Sequence, residues 1–352
     1  MNESATAVDE RIWLVVLAGG IGSRFWPMST PERPKQFLPL LSERPMLRDA
    51  LDRLAPLAPA ARTLVLTSEP LLAGVRSIAP EVPFQNIIAE PHAAGTAAAL
   101  SWAAHVISRR AGPEAVMISV HADWAIRDAP SFRAALREAA HAASRERALV
   151  TVGIVPRHAD TGLGYIQPGP VVNGSLRRVA KFIEKPDGDR ARELVAAGNL
   201  WNSGIFAWRV GDLLDEVRAL CPEVAPALAQ HADDLAGFCE AVRPVAIDVG
   251  VLERSRRVMV LPGDFGWSDV GTWSALREVR VPDGEGNAIS GPVFVRESRV
   301  NVVHSDGPTI VLYGVSDLVV VATKELTLVT TVERASNLKA LLESLPDELR
   351  RP

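Results

Sequence analysis

Short, continuous apolar runs alternate with longer, alanine-rich stretches along residues 1–280. The apolar runs predict strands at Ile12–Leu17, Thr63–Thr67, Ala115–Val120, Leu149–Ile154 and Ile205–Trp208. The longer stretches predict helices at Met46–Leu54, Ala97–Arg109, Ser131–Arg145 and Arg190–Ala197. Fully apolar strands separated by helices are typical of a mostly parallel sheet that is covered on both faces. Ligands of such sheets bind beyond the carboxyl ends of the strands.

The pattern changes after residue 280. The segment Val281–Asn287 is polar and rich in turn residues. Short β segments then follow at roughly regular spacing, at Pro292–Arg296, Val300–His304, Thr309–Tyr313, Leu318–Ala322 and Thr327–Thr331. A final helix is expected over Glu333–Leu345. We therefore predict an α/β protein with a main domain over residues 1–280 and a small β-rich domain with a terminal helix over residues 281–352.

Composition and charge exclude several classes of protein. The 352 residues are 47% hydrophobic and 23% charged with a net charge of −4, an ordinary globular composition. No long basic run is present, so no nucleic-acid partner is expected. Cys221 and Cys239 match no metal-ligand spacing and are expected to be reduced thiols. The acidic N-terminus and the short apolar run Ile12–Ala18 predict neither a signal peptide nor a membrane span, so we expect a cytoplasmic protein.

A glycine-rich loop follows the first predicted strand, with the sequence Leu-Ala-Gly-Gly-Ile-Gly-Ser-Arg over residues 17–24. Successive backbone N–H groups in such a loop can surround phosphate oxygens, and Arg24 adds a planar donor. Lys35 could supply a second positive charge. A P-loop is excluded because no Gly-Lys-Ser/Thr follows, and Phe25 replaces the third glycine of a dinucleotide fingerprint.

The string Gly-Gly-Ile-Gly-Ser-Arg-Phe-Trp-Pro-Met-Ser, followed by Pro-Lys-Gln-Phe, closely resembles the signature of sugar-nucleotide pyrophosphorylases. Phe25-Trp26-Pro27 and Lys35-Gln36-Phe37 resemble the mannose-1-phosphate guanylyltransferase branch. The resemblance implies a Rossmann-like nucleotidyltransferase sandwich related to the GT-A glycosyltransferase fold. It also implies that the triphosphate lies over this loop, where Arg24 and Lys35 act on it. The nucleotide-binding residues of the loop would be Ala18, Gly19, Gly20, Gly22 and Ser23.

A second motif, Glu90-Pro-His-Ala-Ala-Gly-Thr-Ala97, resembles the base-recognition segment of the family. The family usually has Asn where this chain has Gly95. Contacts to guanine are therefore expected from backbone groups or from Glu90, with Gly95 and Thr96 in the nucleotide site. A plain helix N-terminus at Thr96 is an alternative that can hold together with this role.

Two aspartates are the candidate metal ligands. Asp123 follows a strongly apolar strand, in a place where family members usually have Pro-Ser/Ala-Asp-His. Here His121 replaces the Pro and Trp124 replaces the His, and a hydrogen-bonding role for His121 is favoured over metal ligation. Asp269 lies in Gly-Trp-Ser-Asp-Val-Gly, which matches a family string. By resemblance, Asp123 and Asp269 would bind Mg²⁺.

Three further motifs resemble sugar-phosphate contacts of the family. Gly164 lies in Gly-Leu-Gly-Tyr-Ile, where Leu163 replaces a tyrosine of the family. Glu184 and Lys185 lie in Phe-Ile-Glu-Lys-Pro, and Asn202 lies in Trp-Asn-Ser-Gly. The resemblance implies that Gly164, Glu184 and Asn202 bind the sugar and that Lys185 binds its phosphate. On a regular strand Glu184 and Lys185 would project to opposite sides, but Pro186 breaks the strand.

The resemblance covers nearly the whole chain and implies synthesis of GDP-mannose from GTP and mannose 1-phosphate, with release of pyrophosphate. The departures at Gly95, Leu163 and His121 leave open another nucleotide or sugar specificity. A non-catalytic homologue that binds nucleotide sugars and regulates a partner is a further alternative. A GT-A glycosyltransferase is disfavoured, because no Asp-x-Asp motif occurs near Asp123. The oligomeric state is left open, with a homodimer as one outcome.

Overall fold

The computed structural model describes residues 5–20 and 22–350. These residues form two compact units, each assembled from several segments. Unit 1 comprises Met1–Gly19, Leu51–Ala122 and Asp128–Phe265, and unit 2 comprises Gly20–Ala50, Asp123–Arg127 and Gly266–Pro352. In the part of the chain that is described, no helix has the length and apolar character needed to cross a membrane.

The strands, in chain order, are β1 Ile12–Leu17, β2 Thr63–Ser68, β3 Ile87–Glu90, β4 Val116–His121, β5 Ala125–Ile126, β6 Leu149–Ile154, β7 Tyr165–Asn173, β8 Leu176–Ile183, β9 Leu200–Arg209, β10 Val258–Gly263, β11 Trp267–Ser268, β12 Ala288–Ser290, β13 Val293–Arg296, β14 Val302–Ser305, β15 Ile310–Tyr313, β16 Leu318–Ala322 and β17 Thr327–Thr331. The helices are α1 Ala5–Asp9, α2 Met46–Leu54, α3 Leu72–Ile78, α4 Thr96–Ala111, α5 Ala129–Glu146, α6 Gly188–Ala196, α7 Val210–Leu220, α8 Ala225–Gln230, α9 Leu235–Ala241, α10 Leu276–Val279, α11 Leu338–Ser344 and α12 Asp347–Arg350. Short 3-10 turns include Ser23–Phe25 and Lys35–Phe37, and Asp248–Leu252 is a π-helical turn.

A nine-stranded sheet forms the centre of unit 1, in the order β3-β2-β1-β4-β9-β6-β10-β8-β7. The pairings give seven strands one common direction, whereas β8 and β9 run the opposite way. The prediction of an α/β fold with a mostly parallel sheet is confirmed. The predicted strand Ile205–Trp208 is part of β9, which is antiparallel to both β4 and β6.

The apolar runs form strands because both faces of the sheet are covered. The whole of β6 is buried, and β1 and β4 are buried except at their last residues. The alanine-rich helix α4 contributes Ala97, Ala103 and Ala104 to one buried apolar cluster with residues of the sheet, including Val15 and Leu64. Burial of each Val, Leu or Ile side chain contributes roughly 1.5–3 kcal/mol, so this core stabilises the edge that carries the loops described below.

Unit 2 contains the β-rich C-terminal region. The strands β12, β14 and β16 pair in parallel, β17 is antiparallel to β16, and β13 pairs in parallel with β15. The short β segments expected after residue 280 are therefore present. The terminal helix begins later than expected, because Arg334–Asn337 forms a 3-10 turn before α11.

Candidate active site

The glycine-rich loop leaves β1 with its backbone accessible. Gly19 and Gly20 are exposed, and a Cβ atom added to either would meet nothing within 4 Å. Ala18 is buried, and its N–H donates to the Leu66 carbonyl at 2.7 Å. Gly22 has a φ of +67°, and a Cβ there would collide with the Cβ of Lys35. The geometry leaves room for an anion beside Gly19 and Gly20 and requires glycine at position 22.

Lys35 is a buried charged group of unit 2 that is held by several contacts. It begins the 3-10 turn Lys35–Phe37 and is only 4% exposed. Its Nζ donates to Asp123 Oδ2 at 2.9 Å and to the Asp269 carbonyl oxygen at 2.6 Å. The same ammonium lies 5.6 Å from the centre of the Phe25 ring. A buried charge needs such partners. The contacts of Lys35 bring together the segments around residues 35, 123 and 269, which are far apart in the sequence.

The two aspartates predicted to bind a metal thus contact the same lysine. The Asp123 side chain is 32% exposed, so its carboxylate is accessible. A Cβ on Gly271 would lie 3.0 Å from Asp269 Oδ2 and 3.3 Å from Arg24 Nη1, so the Asp269 carboxylate and the exposed Arg24 side chain both approach Gly271. Carboxylate and carbonyl oxygens are the donors that Mg²⁺ prefers, and a cationic ammonium already contacts them here. Among residues 5–20 and 22–350 no group of three or more His, Cys, Asp and Glu could hold a metal, so further ligands would come from substrate or water.

The three residues predicted to bind the sugar lie together in unit 1. A Cβ on Gly164 would lie 2.8 Å from Glu184 Oε2 and 3.6 Å from the Asn202 Cβ. The Asn202 N–H also donates to the Gly164 carbonyl at 2.8 Å. A side chain at position 164 would displace the Glu184 carboxylate. Glycine at this position therefore leaves room for the carboxylate.

Lys185 and Glu184 do not project to opposite sides, because β8 ends at Ile183 and Lys185 has a φ of +39°. The Lys185 Nζ lies 3.1 Å from Glu184 Oε1, and both side chains are more than 60% exposed. A solvent-exposed ion pair of this kind contributes only about 0–1 kcal/mol. Neither charge is therefore held strongly, and both can turn to a ligand.

The residues predicted to bind the nucleotide base lie at the carboxyl end of β3 and the start of α4. Burial raises the pKa of Glu90 to about 7, and nearby His92 opposes this shift. Gly95 has a φ of +86°, and a Cβ there would lie 2.7 Å from both the N and the O atom of Val245. The Thr96 hydroxyl accepts a hydrogen bond from the Ile247 N–H at 2.9 Å. The Gly95 departure from the family pattern thus matches a close backbone approach that only glycine permits.

Asp248 was missed by the sequence analysis. Its Oδ1 accepts a hydrogen bond of 2.7 Å from Asn202 Nδ2. Burial raises the pKa of Asp248, the neighbouring Glu184 raises it further, and the Asn202 hydrogen bond and His121 lower it. No family string was recognised around Asp248, and its spacing from Asn202 along the chain carries no periodic signal.

Two family models match the chain. The model described as Nucleotidyl transferase matches residues 14–285, and the model described as MannoseP isomerase/GMP-like beta-helix domain matches residues 292–345. The chain belongs to the nucleotidyl transferase family. Its expected class, an enzyme that transfers nucleotidyl groups, is confirmed.

Comparison with individual proteins shows which branch of the family the chain resembles. The chain is 37% identical over 352 residues to mannose-1-phosphate guanylyltransferase of Escherichia coli, which covers 96% of this chain and 74% of that relative. It is 36% identical to the Klebsiella pneumoniae protein of the same name, with the same coverage. A crystal structure described as mannose-1-phosphate geranyltransferase from Thermus thermophilus matches with a TM-score of 0.87 and 31% identity, over 95% of this chain and 98% of that one. The resemblance to the guanylyltransferase branch is confirmed.

Proposed function

We propose that this chain transfers a guanylyl group from GTP to mannose 1-phosphate and so forms GDP-mannose and pyrophosphate. The names of its relatives support the two substrates. The observation that carries the proposal is the Lys35 ammonium, which contacts both Asp123 and Asp269 in a unit that also holds Arg24. This arrangement suits a polyanion whose charge must be neutralised before another anion can attack it.

Binding of the triphosphate is assigned to residues of unit 2. The open backbone at Gly20, the Arg24 guanidinium and the Lys35 ammonium bind phosphate oxygens and stabilise negative charge on the departing pyrophosphate. Asp123 and Asp269 would hold Mg²⁺, which supplies further positive charge to the phosphate oxygens. Lys35 exchanges part of its contact with Asp123 for phosphate when the nucleotide binds.

The sugar phosphate is assigned to residues of unit 1. Glu184 and Asn202 hydrogen-bond sugar hydroxyls, and Lys185 pairs with the phosphate, whose oxygen attacks the α-phosphorus in line. The attacking oxygen is already ionised at neutral pH, so no general base is required. The protein contributes alignment and charge stabilisation rather than a covalent intermediate. Nucleotide binding is assigned to five further residues, which are Ala18, Gly19, Glu90, Gly95 and Thr96.

A pyrophosphate-release assay tests the function. The intact chain, Mg²⁺ and mannose 1-phosphate are combined with each NTP in turn, and other hexose 1-phosphates are then tested with GTP. We expect release with GTP and mannose 1-phosphate well above every other pair. The Asp269→Asn variant should stay folded and lose turnover by about 100-fold or more, as expected when a group that stabilises transition-state charge is removed. Faster release with UTP or dTTP would replace the proposed specificity, and no release with any pair would refute the activity.

Three further expectations belong to this proposal: the domain boundary near residue 280, the cytoplasmic location and the homodimer. Support for the boundary comes from the two family models, which leave residues 286–291 unmatched between them. Limited proteolysis and light scattering on the purified chain measure the boundary and the oligomeric state.

A further inference from the structure

A partly buried hydrogen bond joins the predicted sugar-binding asparagine to a carboxylate that has no assigned role. Asn202 lies on β9, and Asp248 begins the π-helical turn Asp248–Leu252. The bond from Asn202 Nδ2 to Asp248 Oδ1 measures 2.7 Å and spans 46 residues of sequence. Single π turns are rare and are frequently found at functional sites.

The Asp248 carboxylate determines which way the Asn202 amide faces. An ionised carboxylate only accepts hydrogen bonds, so it must face the NH₂ group of the amide. The amide oxygen then points the other way, where the Gly204 N–H approaches Asn202 Oδ1 at 3.4 Å. One N–H and the oxygen remain as a donor and an acceptor in fixed places. An asparagine without such a partner could turn over by 180° and exchange the two.

The groups around this bond are suited to a ligand that is rich in hydroxyl donors. Asp248 feels the charge of Glu184, which follows β8, and of His121, which ends β4. Glu253, in the same turn region, feels both Asp248 and Glu184. Two carboxylates and an amide oxygen are mainly acceptors, and sugar hydroxyls can donate to them.

We propose that Asp248 is a positioning residue for sugar recognition, which holds the Asn202 amide in the orientation that reads the hydroxyl groups of the sugar 1-phosphate. The proposal rests on the proposed function, because it assumes that the sugar phosphate binds at Gly164, Glu184 and Asn202. Asp248 acts through Asn202 and makes no contribution to triphosphate binding.

Steady-state kinetics of Asp248→Asn test the proposal. The KM for mannose 1-phosphate should rise about tenfold or more, the effect of losing a hydrogen bond to a charged group. The KM for GTP should stay within about twofold, because changing an interaction that touches one substrate leaves the binding of the other intact. Asp215→Asn is a matched control, since Asp215 lies on α7 in an exposed pair with Arg218. It should leave both KM values unchanged.

A swapped variant, Asn202→Asp combined with Asp248→Asn, separates positioning from stability. It restores one donor and one acceptor between the two positions but presents a carboxylate, not an amide, to the sugar. We expect the melting temperature to recover while the KM for mannose 1-phosphate stays high. Recovery of both would show a merely structural bond and overturn the proposal, as would an unchanged sugar KM or an equal rise in both KM values with Asp248→Asn.

Failure of the proposed function gives a different result. If wild-type protein neither turns over nor binds mannose 1-phosphate in a calorimetric titration, the proposed substrate is wrong. If the wild type binds this sugar phosphate and Asp248→Asn binds it equally well, only the positioning role is wrong.

Discussion

The absence of a side chain at Gly22 leaves the space that the Lys35 side chain occupies. The sequence analysis assigned both residues to the phosphate site, but the reason for glycine at position 22 comes from the structure. The Cβ of Lys35 occupies the place where a side chain at position 22 would begin, and the positive φ of Gly22 also favours glycine. The partners of Lys35 could not be predicted, because Asp123 and Asp269 lie 88 and 234 residues away.

Replacing Gly22 with alanine should therefore displace Lys35. The positive φ alone costs roughly 1–2 kcal/mol for alanine, and the collision adds to that cost. We expect a lower denaturant midpoint and a turnover reduced by about 10- to 100-fold, because a shift near 1 Å of a positioned group has an effect of that size. Gly284→Ala is the control, since a Cβ there meets nothing within 4 Å. Equal effects of the two substitutions would contradict this account.

At the scale of single elements, the sequence predicted helix α4 well, but not what fixes its first turn. Its N-cap is Gly95, which has no side chain to cap the helix. The first turn is held instead by two hydrogen bonds, from the Ala97 N–H to the Val245 carbonyl and from the Ile247 N–H to the Thr96 hydroxyl. These bonds hold the segment that immediately precedes the π turn and Asp248.

Loss of the Thr96 hydroxyl tests this connection. Valine has nearly the shape of threonine but leaves the Ile247 N–H, whose residue is 1% exposed, without its acceptor. The free energy of unfolding, measured by urea denaturation, should fall by about 1–3 kcal/mol. Thr327→Val, at an exposed position of β17, should change it by less than about 0.5 kcal/mol. A Thr96→Val variant as stable as the wild type would show that the bond contributes nothing.

The C-terminal strands were predicted individually, but their stacking was not. Buried Asn287 and Asn301 form a ladder, in which the Asn301 side chain donates to Asn287 Oδ1 at 2.9 Å. The Leu318 N–H in turn donates to Asn301 Oδ1 at 3.0 Å. The two asparagines thus accept hydrogen bonds from the backbone N–H groups of Asn301 and Leu318. These bonds explain why polar residues lie inside an otherwise apolar region.

At the scale of the whole molecule, unit 2 is held together by groups from distant segments. The Arg280 guanidinium follows α10, donates from Nε to the Leu40 carbonyl at 2.9 Å and contacts His304 Nδ1 at 2.9 Å. His304 lies on β14 and is 3% exposed. Burial and the Arg280 charge lower the pKa of His304 to about 4, with Arg33 acting in the same direction and Asp306 opposing it. The neutral ring can accept from the guanidinium, whereas a protonated ring cannot.

This contact predicts a loss of stability in acid. The unfolded chain binds a proton at His304 near pH 6.5 and the folded chain only near pH 4, so the stability contributed by the neutral ring falls as the pH is lowered through this window. Glu90 acts oppositely, because its raised pKa favours the folded state as the pH falls from about 7 towards 4.5. The difference between wild type and His304→Gln isolates the histidine. Between pH 7 and pH 4 the wild type should lose on the order of 3 kcal/mol relative to the variant, and parallel stability curves would contradict the assignment.

The sequence by itself determined most of the elements, the fold class and the residues that are proposed to bind phosphate and sugar. These follow from local properties: apolar runs long enough to span a sheet, glycines where the backbone must stay open, and charged residues in strings that resemble one family. Only the tertiary structure decided that Lys35 joins Asp123 to Asp269, that Asp248 orients Asn202 and that His304 stays neutral beside Arg280. Each of these pairings joins residues at least 24 positions apart. Contacts at such distances depend on how the strands and loops pack, and no local periodicity records them.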